Sequence, residues 1–379
     1  MTFSDSPRAA SVPADLPDAA ERLARQLGPG PFAHICIFVT ADADLAHICA
    51  QAQLAFPRTM ICGCTTAGEI TGNGYDEGQV AAFALPAATF DTEMLVLEGL
   101  DRLDPREVIA ELLRARQNLS LRAGHLAHES AVLLVDGLSG QEDWLAAALS
   151  GALGAVPMVG GSAADGGQFR HTFLHADGRV LSNAAVLILL RSQGAVRPFS
   201  LDNLHPTEDC MVVTQADPAR RLVLRINDEP AAQEYARLLG VAPDMLTPFV
   251  FAAHPVLVRA GGRHHVRAIQ GIQPDGALLF FSAVAEGLVL TIARPGDMAS
   301  HLQQELAALG RNGAPAAILG FDCLFRRIDA TGRQRTRDVS DILVRHHVTG
   351  FSTYGEQFGA MHVNQTMTGL AFYPAGVTP

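Results

Sequence analysis

Residues 63–69 read Gly-Cys-Thr-Thr-Ala-Gly-Glu, and residues 350–356 read Gly-Phe-Ser-Thr-Tyr-Gly-Glu. They align without a gap: Gly63 with Gly350, Thr65 with Ser352, Thr66 with Thr353, Gly68 with Gly355 and Glu69 with Glu356. Upstream of the first, residues 33–39 (AHICIFV) are apolar and rich in β-branched side chains, residues 42–54 have helical character, and residues 59–62 are a second apolar run. Strand, helix, strand and glycine-rich turn make a βαβ unit. Upstream of the second lie an apolar run at 316–321 and a helical stretch at 338–347. An apolar strand follows both turns, at 80–85 and 368–373. A third, more diverged copy sits between them. A strand at 131–135 ends at Asp136, a helix covers 142–153, and 157–159 runs into Gly160-Gly161-Ser162-Ala163-Ala164-Asp165. The chain therefore reads as an internal duplication of α/β units.

Hairpins fill the spaces between the units. Asp177-Gly178 joins 171–174 to 179–181, Gly261-Gly262 joins 256–259 to 265–269, and Asp275-Gly276 joins 269–272 to 277–281. Each is a two-residue turn signal between strand-like runs. Residues 222–226 form a strand, and Pro230 stands near the first position of a helix reaching Leu239. Residues 1–14 read as a frayed tail, followed by a helix that carries Leu23 and Leu27 on one face and stops at Gly28. The expected fold is α/β with mixed sheets and a strand-rich second half. Its expected parts are an N-terminal tail and helix (1–30), an N-terminal domain (31–216) and a C-terminal domain (217–379).

The chain has 379 residues with 48% hydrophobic and 18% charged residues, enough apolar material for two buried cores. A net charge of −11 argues against nucleic acid as a partner. All 28 basic residues are Arg, which excludes a Schiff-base or P-loop lysine. No signal peptide or membrane-spanning run is legible, so a cytoplasmic location without membrane insertion is expected. Six cysteines show no disulfide spacing. The pair Cys62-Gly63-Cys64 would need two further ligands to hold zinc and reads as a buried strand end.

Glycine-rich turns can aim several backbone N–H groups at one point. The candidate ligand residues are therefore Gly63, Thr65, Thr66, Glu69, Gly161, Ser162, Asp165, Ser352, Thr353, Tyr354, Glu356 and Asn364. The competing reading is tight strand-to-loop geometry with hydroxyls satisfying local backbone. No nucleotide fingerprint and no nucleophile elbow is present. Among the 14 histidines, His254 lies in an apolar segment (PFVFAAHPVLVR) with Arg259 and Arg267 on adjacent hairpin strands. An imidazole in apolar surroundings with arginines for propionates suits haem b, its iron held by His254, with His362 as second candidate. The alternative for either is a hydrogen-bonded core histidine.

GCTTAGE, VPMVGGSAAD, NDEPAAQEYARLLG and TGFSTYGEQ…HVNQTMTG, in that order, resemble the FIST sensory family in its N- and C-terminal halves over residues 30–373. The resemblance implies a signal-input module binding a small ligand, not an enzyme. The chain is also similar to the haem-containing, nitric-oxide-sensing members of that family. That likeness implies haem held by a histidine, nitric oxide as ligand, and a histidine kinase or other signalling protein as partner; a homodimer is a further expectation. The alternative is a haem-free sensor of amino acids or related metabolites. A hydrolase or isomerase using Glu69, Asp136, Asp165, Asp322 and Glu356 is the third reading.

Overall fold

A computed structural model describes residues 5–260 and 262–378. Gly261, half of the expected Gly-Gly turn, lies outside the described residues. One module occurs three times: edge strand, helix, strand, helix, strand, hairpin, strand. The first comprises β1 (Arg8–Pro13), α1 (Ala19–Leu27), β2 (Phe32–Thr40), α2 (Leu45–Ala55), β3 (Met60–Thr66), β4 (Glu69–Thr71), β5 (Gly74–Asp76) and β6 (Gln79–Pro86). The second comprises β7 (Phe90–Glu98), α3 (Pro105–Ala123), β8 (His128–Val135), α4 (Glu142–Leu153), β9 (Met158–Ser162), β10 (Leu174–Ala176), β11 (Arg179–Leu181) and β12 (Ala184–Ser192).

The third module starts with β13 (Val196–Leu201) and then takes a long insertion. This contains β14 (Leu204–Asp217), β15 (Leu222–Ile226), β16 (Glu229–Pro230), α5 (Ala231–Leu239), α6 (Pro248–Ala253), β17 (Val256–Ala260), β18 (Arg263–Arg267), β19 (Ile269–Ile272), β20 (Leu278–Phe280) and β21 (Val289–Pro295). The module resumes with α7 (Met298–Leu309), β22 (Ala317–Cys323), α8 (Leu324–Gly332), α9 (Thr336–Arg345), β23 (Val348–Thr353), β24 (Glu356–Phe358), β25 (Met361–Val363) and β26 (Met367–Phe372). The expected recurrence is thus complete and threefold, and the middle copy, diverged in sequence, is built like the others.

Within each module two strands run parallel across the helical connection: β2 with β3, β8 with β9, β22 with β23. The last strand returns antiparallel on the first of these, and the edge strand pairs outside it. The hairpins leave their own sheets in a closed cycle. β4–β5 pairs with β23 of the third module, β10–β11 with β3 of the first, and β24–β25 with β9 of the second. Each module's sheet is therefore completed by a neighbour.

The three sheets share a central core that includes Phe38, Phe83, Leu134, Phe321, Phe351 and Phe372. The Phe38 and Phe351 rings lie 4.8 Å apart, and Phe83 and Phe372 lie 5.4 Å apart. Helices cover the outer faces, where Ile35, Ile37 and Val39 pack with Leu23, Leu27 and Ile48. Burial on both faces explains why residues 33–39 read as a continuous apolar run without alternation.

Close strand approach explains the glycine that opens each repeated turn. Gly63, Gly160 and Gly350 stand opposite Ile37, Leu133 and Gly320. A Cβ there would fall 2.7, 2.1 and 1.7 Å from the partner's carbonyl oxygen. These strand glycines mark backbone contact.

Residues 8–13, expected as part of a frayed tail, form β1 on the edge of the first sheet. Residues 324–332 form α8, an extra helix ahead of the expected one. Pro230 caps α5 rather than entering it. The Asp177-Gly178 hairpin is as expected, with φ of 51° and 73° suiting a type I′ turn. The insertion folds on a sheet ordered β18-β17-β21-β14-β15-β20-β19. Its core, with Tyr235, Phe251 and Phe280, also takes in Ala67, Ala164, Phe325 and Tyr354, so it covers the end of the modules where the turns lie. Among the described residues no helix is long and apolar enough to cross a membrane.

Candidate functional site

The three glycine-rich turns meet in a ring, and their amides are used within it. Ala67 N–H donates to Ser352 O, and Ser352 N–H returns a bond to Gly68 O. Ala164 and Gly166 donate to Thr65 O and Thr66 O, and Ser162 donates to Gly355 O. The Thr65 hydroxyl accepts from Phe173 N–H, and that of Thr66 from Gly68 N–H. The expected anion cradle of free N–H groups is therefore not what these turns build. They join the modules.

The carboxylates of the ring are equally engaged. Thr66 donates to Glu69 and Thr353 donates to Glu356, one contact made twice by aligned residues. Burial pushes Glu356 up to about 8 despite bonds from Thr353 and Thr366, and Glu69 up to about 7 despite Thr66 and the Gln79 N–H. Burial also acts on Asp165, but the Tyr354 hydroxyl and the N–H groups of His171, Arg170 and Phe169 outweigh it and hold this carboxyl below its ordinary value. Asp136 accepts from Thr172 and from the N–H groups of Leu138 and Asn183. Glu69 and Glu356 each take the threonine of their own turn, Asp165 is held from the third module by Tyr354, and no nucleophile–base–orienter set forms around them among the described residues. Asn364 donates to Tyr354 O at 3.5 Å, and Gly161 meets Thr353 and Phe321 too closely to carry a Cβ.

The residues expected to hold haem do not converge. Arg267 pairs with Val256 and Arg259 with His264 across the β17–β18 hairpin. Alternation along β17 puts Arg259 and Arg267 on opposite faces, so one pair of propionates cannot reach both. His254 ends α6, half-buried, its carbonyl bonded by the Tyr235 hydroxyl at 2.5 Å. Burial lowers its imidazole pKa, as do Arg294 and Arg333. His362 is fully buried, which lowers its pKa as well. Gln357 Nε2 lies 3.3 Å from its Nδ1, and a Cβ on Gly355 would fall 2.7 Å from its Nε2. Gln357 thus occupies the Nδ1 side of the ring, and Gly355 packs against its other edge. As arranged, His254, Arg259 and Arg267 do not converge on one haem.

A different group does converge where the insertion meets the third module. Asn203, Leu204, Ala252, Pro295, Met298, Phe325, Arg326, Asp329 and Gln365 line a cavity of about 10 Å³, roughly one water. Arg326 is buried on α8, one turn after Asp322 at the end of β22. Its Nε bonds Asp322 at 2.6 Å and its Nη1 bonds Asn203 at 3.0 Å. Asp322 also takes the hydroxyl of Tyr75, carried in by the first module's exchanged hairpin. Burial works against the Arg326 charge, but Asp322, with Tyr75 and Glu356, more than offsets it. Among the described residues Arg326 Nη2 has no hydrogen-bond partner, and neither has Asp329 Oδ2, whose other oxygen takes Arg333 at 2.7 Å. The two opposite charges line one cavity without pairing to each other. Gln365 holds φ of 52°, a conformation unusual for a side-chain residue and common at ligand clamps.

A wider cleft of about 880 Å³ runs between β1 and residues 315–317 and 347–349. Its main charged group, Arg8, is bonded to the carbonyls of Leu27 and Pro29 and lies over Phe32. Little convergent chemistry remains there.

Sequence reading did not nominate Arg326, Asp329, Asn203 or Gln365. The one available signal was the run of charges Asp322, Arg326, Asp329 and Arg333 at helical spacing directly after a buried strand. A surface helix carries the same spacing, so only the fold reveals that α8 turns it inward.

A family model described as the FIST N domain matches residues 33–229, and one described as the FIST C domain matches residues 231–359. No curated protein matches the chain.

Proposed function

The chain belongs to the FIST family, whose domains are sensory input modules taking small ligands, and we propose that its ligand is a small amino-acid-like zwitterion bound without haem. One observation carries this reading. Arg326 Nη2 and Asp329 Oδ2 are buried, unpartnered among the described residues, and line the same cavity. A guanidinium held by Asp322 and Asn203 on two of its nitrogens presents the third to a ligand carboxylate. The free oxygen of Asp329 suits an ammonium, and the apolar lining from Ala252, Met298 and Phe325 suits a short side chain. The role is binding, not catalysis.

The lining comes from both the insertion (Leu204, Ala252, Pro295) and the third module (Phe325, Arg326, Asp329, Gln365). A ligand larger than one water favours a state in which these parts separate, and such differential affinity is what shifts a conformational equilibrium. The output passes to a partner signalling protein, of which a histidine kinase is the kind implied by the family resemblance. A thermal-shift screen of amino acids against the purified chain tests the reading. A ligand at ~100 times its Kd stabilises by ~2.7 kcal/mol. Stabilisation by zwitterions but not by their decarboxylated amines supports it, and no shift with any amino acid overturns it.

A further inference from the structure

Three ligand-bearing side chains meet on the central-core face of the first sheet. His34 and Cys36 are two apart on β2 and share a face, and Cys62 is the register partner of Cys36 on parallel β3. Their ligand atoms all lie within 4.8 Å of one another, and all three residues are buried. His34 Nε2 is 3.2 Å from Cys62 Sγ, and the two sulfurs are 3.8 Å apart.

We propose that His34, Cys36 and Cys62 form a buried site for one thiophilic cation, Zn²⁺ or Cu⁺. Two sulfurs held at ~2.3 Å from a tetrahedral ion stand ~3.8 Å apart, the separation found here. Two thiolates and an imidazole select soft or borderline cations over hard ones. Adjacent strands of a sheet buried on both faces fix the set more rigidly than a loop would. His34 Nδ1 has no hydrogen-bond partner among the described residues, so the sulfur-facing Nε2 is this ring's only polar engagement. Binding breaks both S–H bonds, releases the two protons to solvent, and leaves two sulfur–metal bonds and one nitrogen–metal bond. With Zn²⁺ the two thiolates balance the ion's charge, as an apolar interior requires; with Cu⁺ one net negative charge remains.

The test uses the full chain, purified without chelator from cells supplied with Zn²⁺ or with copper, and reads metal content per chain. The proposal expects about one equivalent of one of these ions, and the culture that gives it identifies the ion. Metal should fall to background in Cys36→Ser and Cys62→Ser. It should persist in Cys49→Ala, whose thiol sits against Gly63 from helix α2. No bound metal in either culture overturns the site, as does undiminished metal in serine variants with wild-type circular dichroism. Should those variants not fold, Co²⁺ added to the wild-type chain decides. Thiolate-to-cobalt charge-transfer bands support the site, and their absence, or a Cys36–Cys62 disulfide found by mass spectrometry, contradicts it.

Discussion

Tyr354 donates its hydroxyl to the Asp165 carboxylate, joining the turn of the third module to that of the second. The same hydroxyl oxygen accepts from the N–H groups of Asp165 and Phe169, and the Tyr354 ring stacks on Phe169 at 4.4 Å. The contact ties two hairpin exchanges together beneath the insertion, which packs on the same tyrosine.

Replacing Tyr354 by Phe keeps the ring and removes that bond. The expected loss is ~1–3 kcal/mol, the cost of leaving a buried polar partner unsatisfied. The Asp165 pKa is depressed in the folded chain, so its contribution is present above the unfolded carboxylate value and is lost as pH falls through the folded one. Acid unfolding of Tyr354→Phe should therefore begin at higher pH than in the wild type. Tm against pH checks both the size and the direction.

Glu356 has the opposite sign. Its folded pKa of about 8 lies above the unfolded value of ~4.3, so the folded chain binds the proton more tightly. Its stabilising contribution is complete below the unfolded value, declines as pH rises between the two, and is gone above about 8. Glu356→Gln keeps a neutral side chain throughout, and its Tm should fall less than that of wild type between pH 5 and 9. An unchanged slope would mean that Glu356 does not titrate in this window.

The strand glycines give a steric prediction. Gly350→Ala forces a Cβ to within 1.7 Å of Gly320 O, and the required backbone shift should cost ~3 kcal/mol or more. Gly151→Ala in helix α4, where a Cβ meets nothing within 4 Å, should instead be neutral or stabilising by up to ~1 kcal/mol. Chemical denaturation of the two variants separates backbone approach from a general intolerance of substitution.

The haem expectation also has a direct check. With Arg259 and Arg267 on opposite faces of their hairpin, a purified chain supplied with haem should gain no Soret band that His254→Ala abolishes. A His254-dependent band that shifts with nitric oxide would show that the site is assembled in another conformation.

Much of the fold was legible. Residues 33–39, 131–135 and 316–321 announced buried parallel strands because both faces are covered, and the aligned turns announced the repeat. The exchange of hairpins was not legible. A three-residue strand such as Glu69–Thr71 carries no mark of which sheet it joins, and only Gly350 and Phe351 across the molecule decide it. The candidate site was hidden for a related reason. Arg326 and Asp329 look like a solvated helical face until α8 is placed between Asp322, Asn203 and the insertion. The turns that identified the family were visible because their geometry is shared threefold, and the structure uses them to join modules.

In the proposed site Arg326 and Asp329 each take one charge of the zwitterion. Calorimetric titration of the amino acid that gives the largest thermal shift, into wild type, Arg326→Gln and Asp329→Asn, tests it most directly. Losing a charge-assisted bond of ~1.5–3 kcal/mol should weaken binding by ~10-fold to ~150-fold in each variant, with circular dichroism unchanged. Binding to both folded variants at wild-type affinity would show that these two side chains do not hold the ligand.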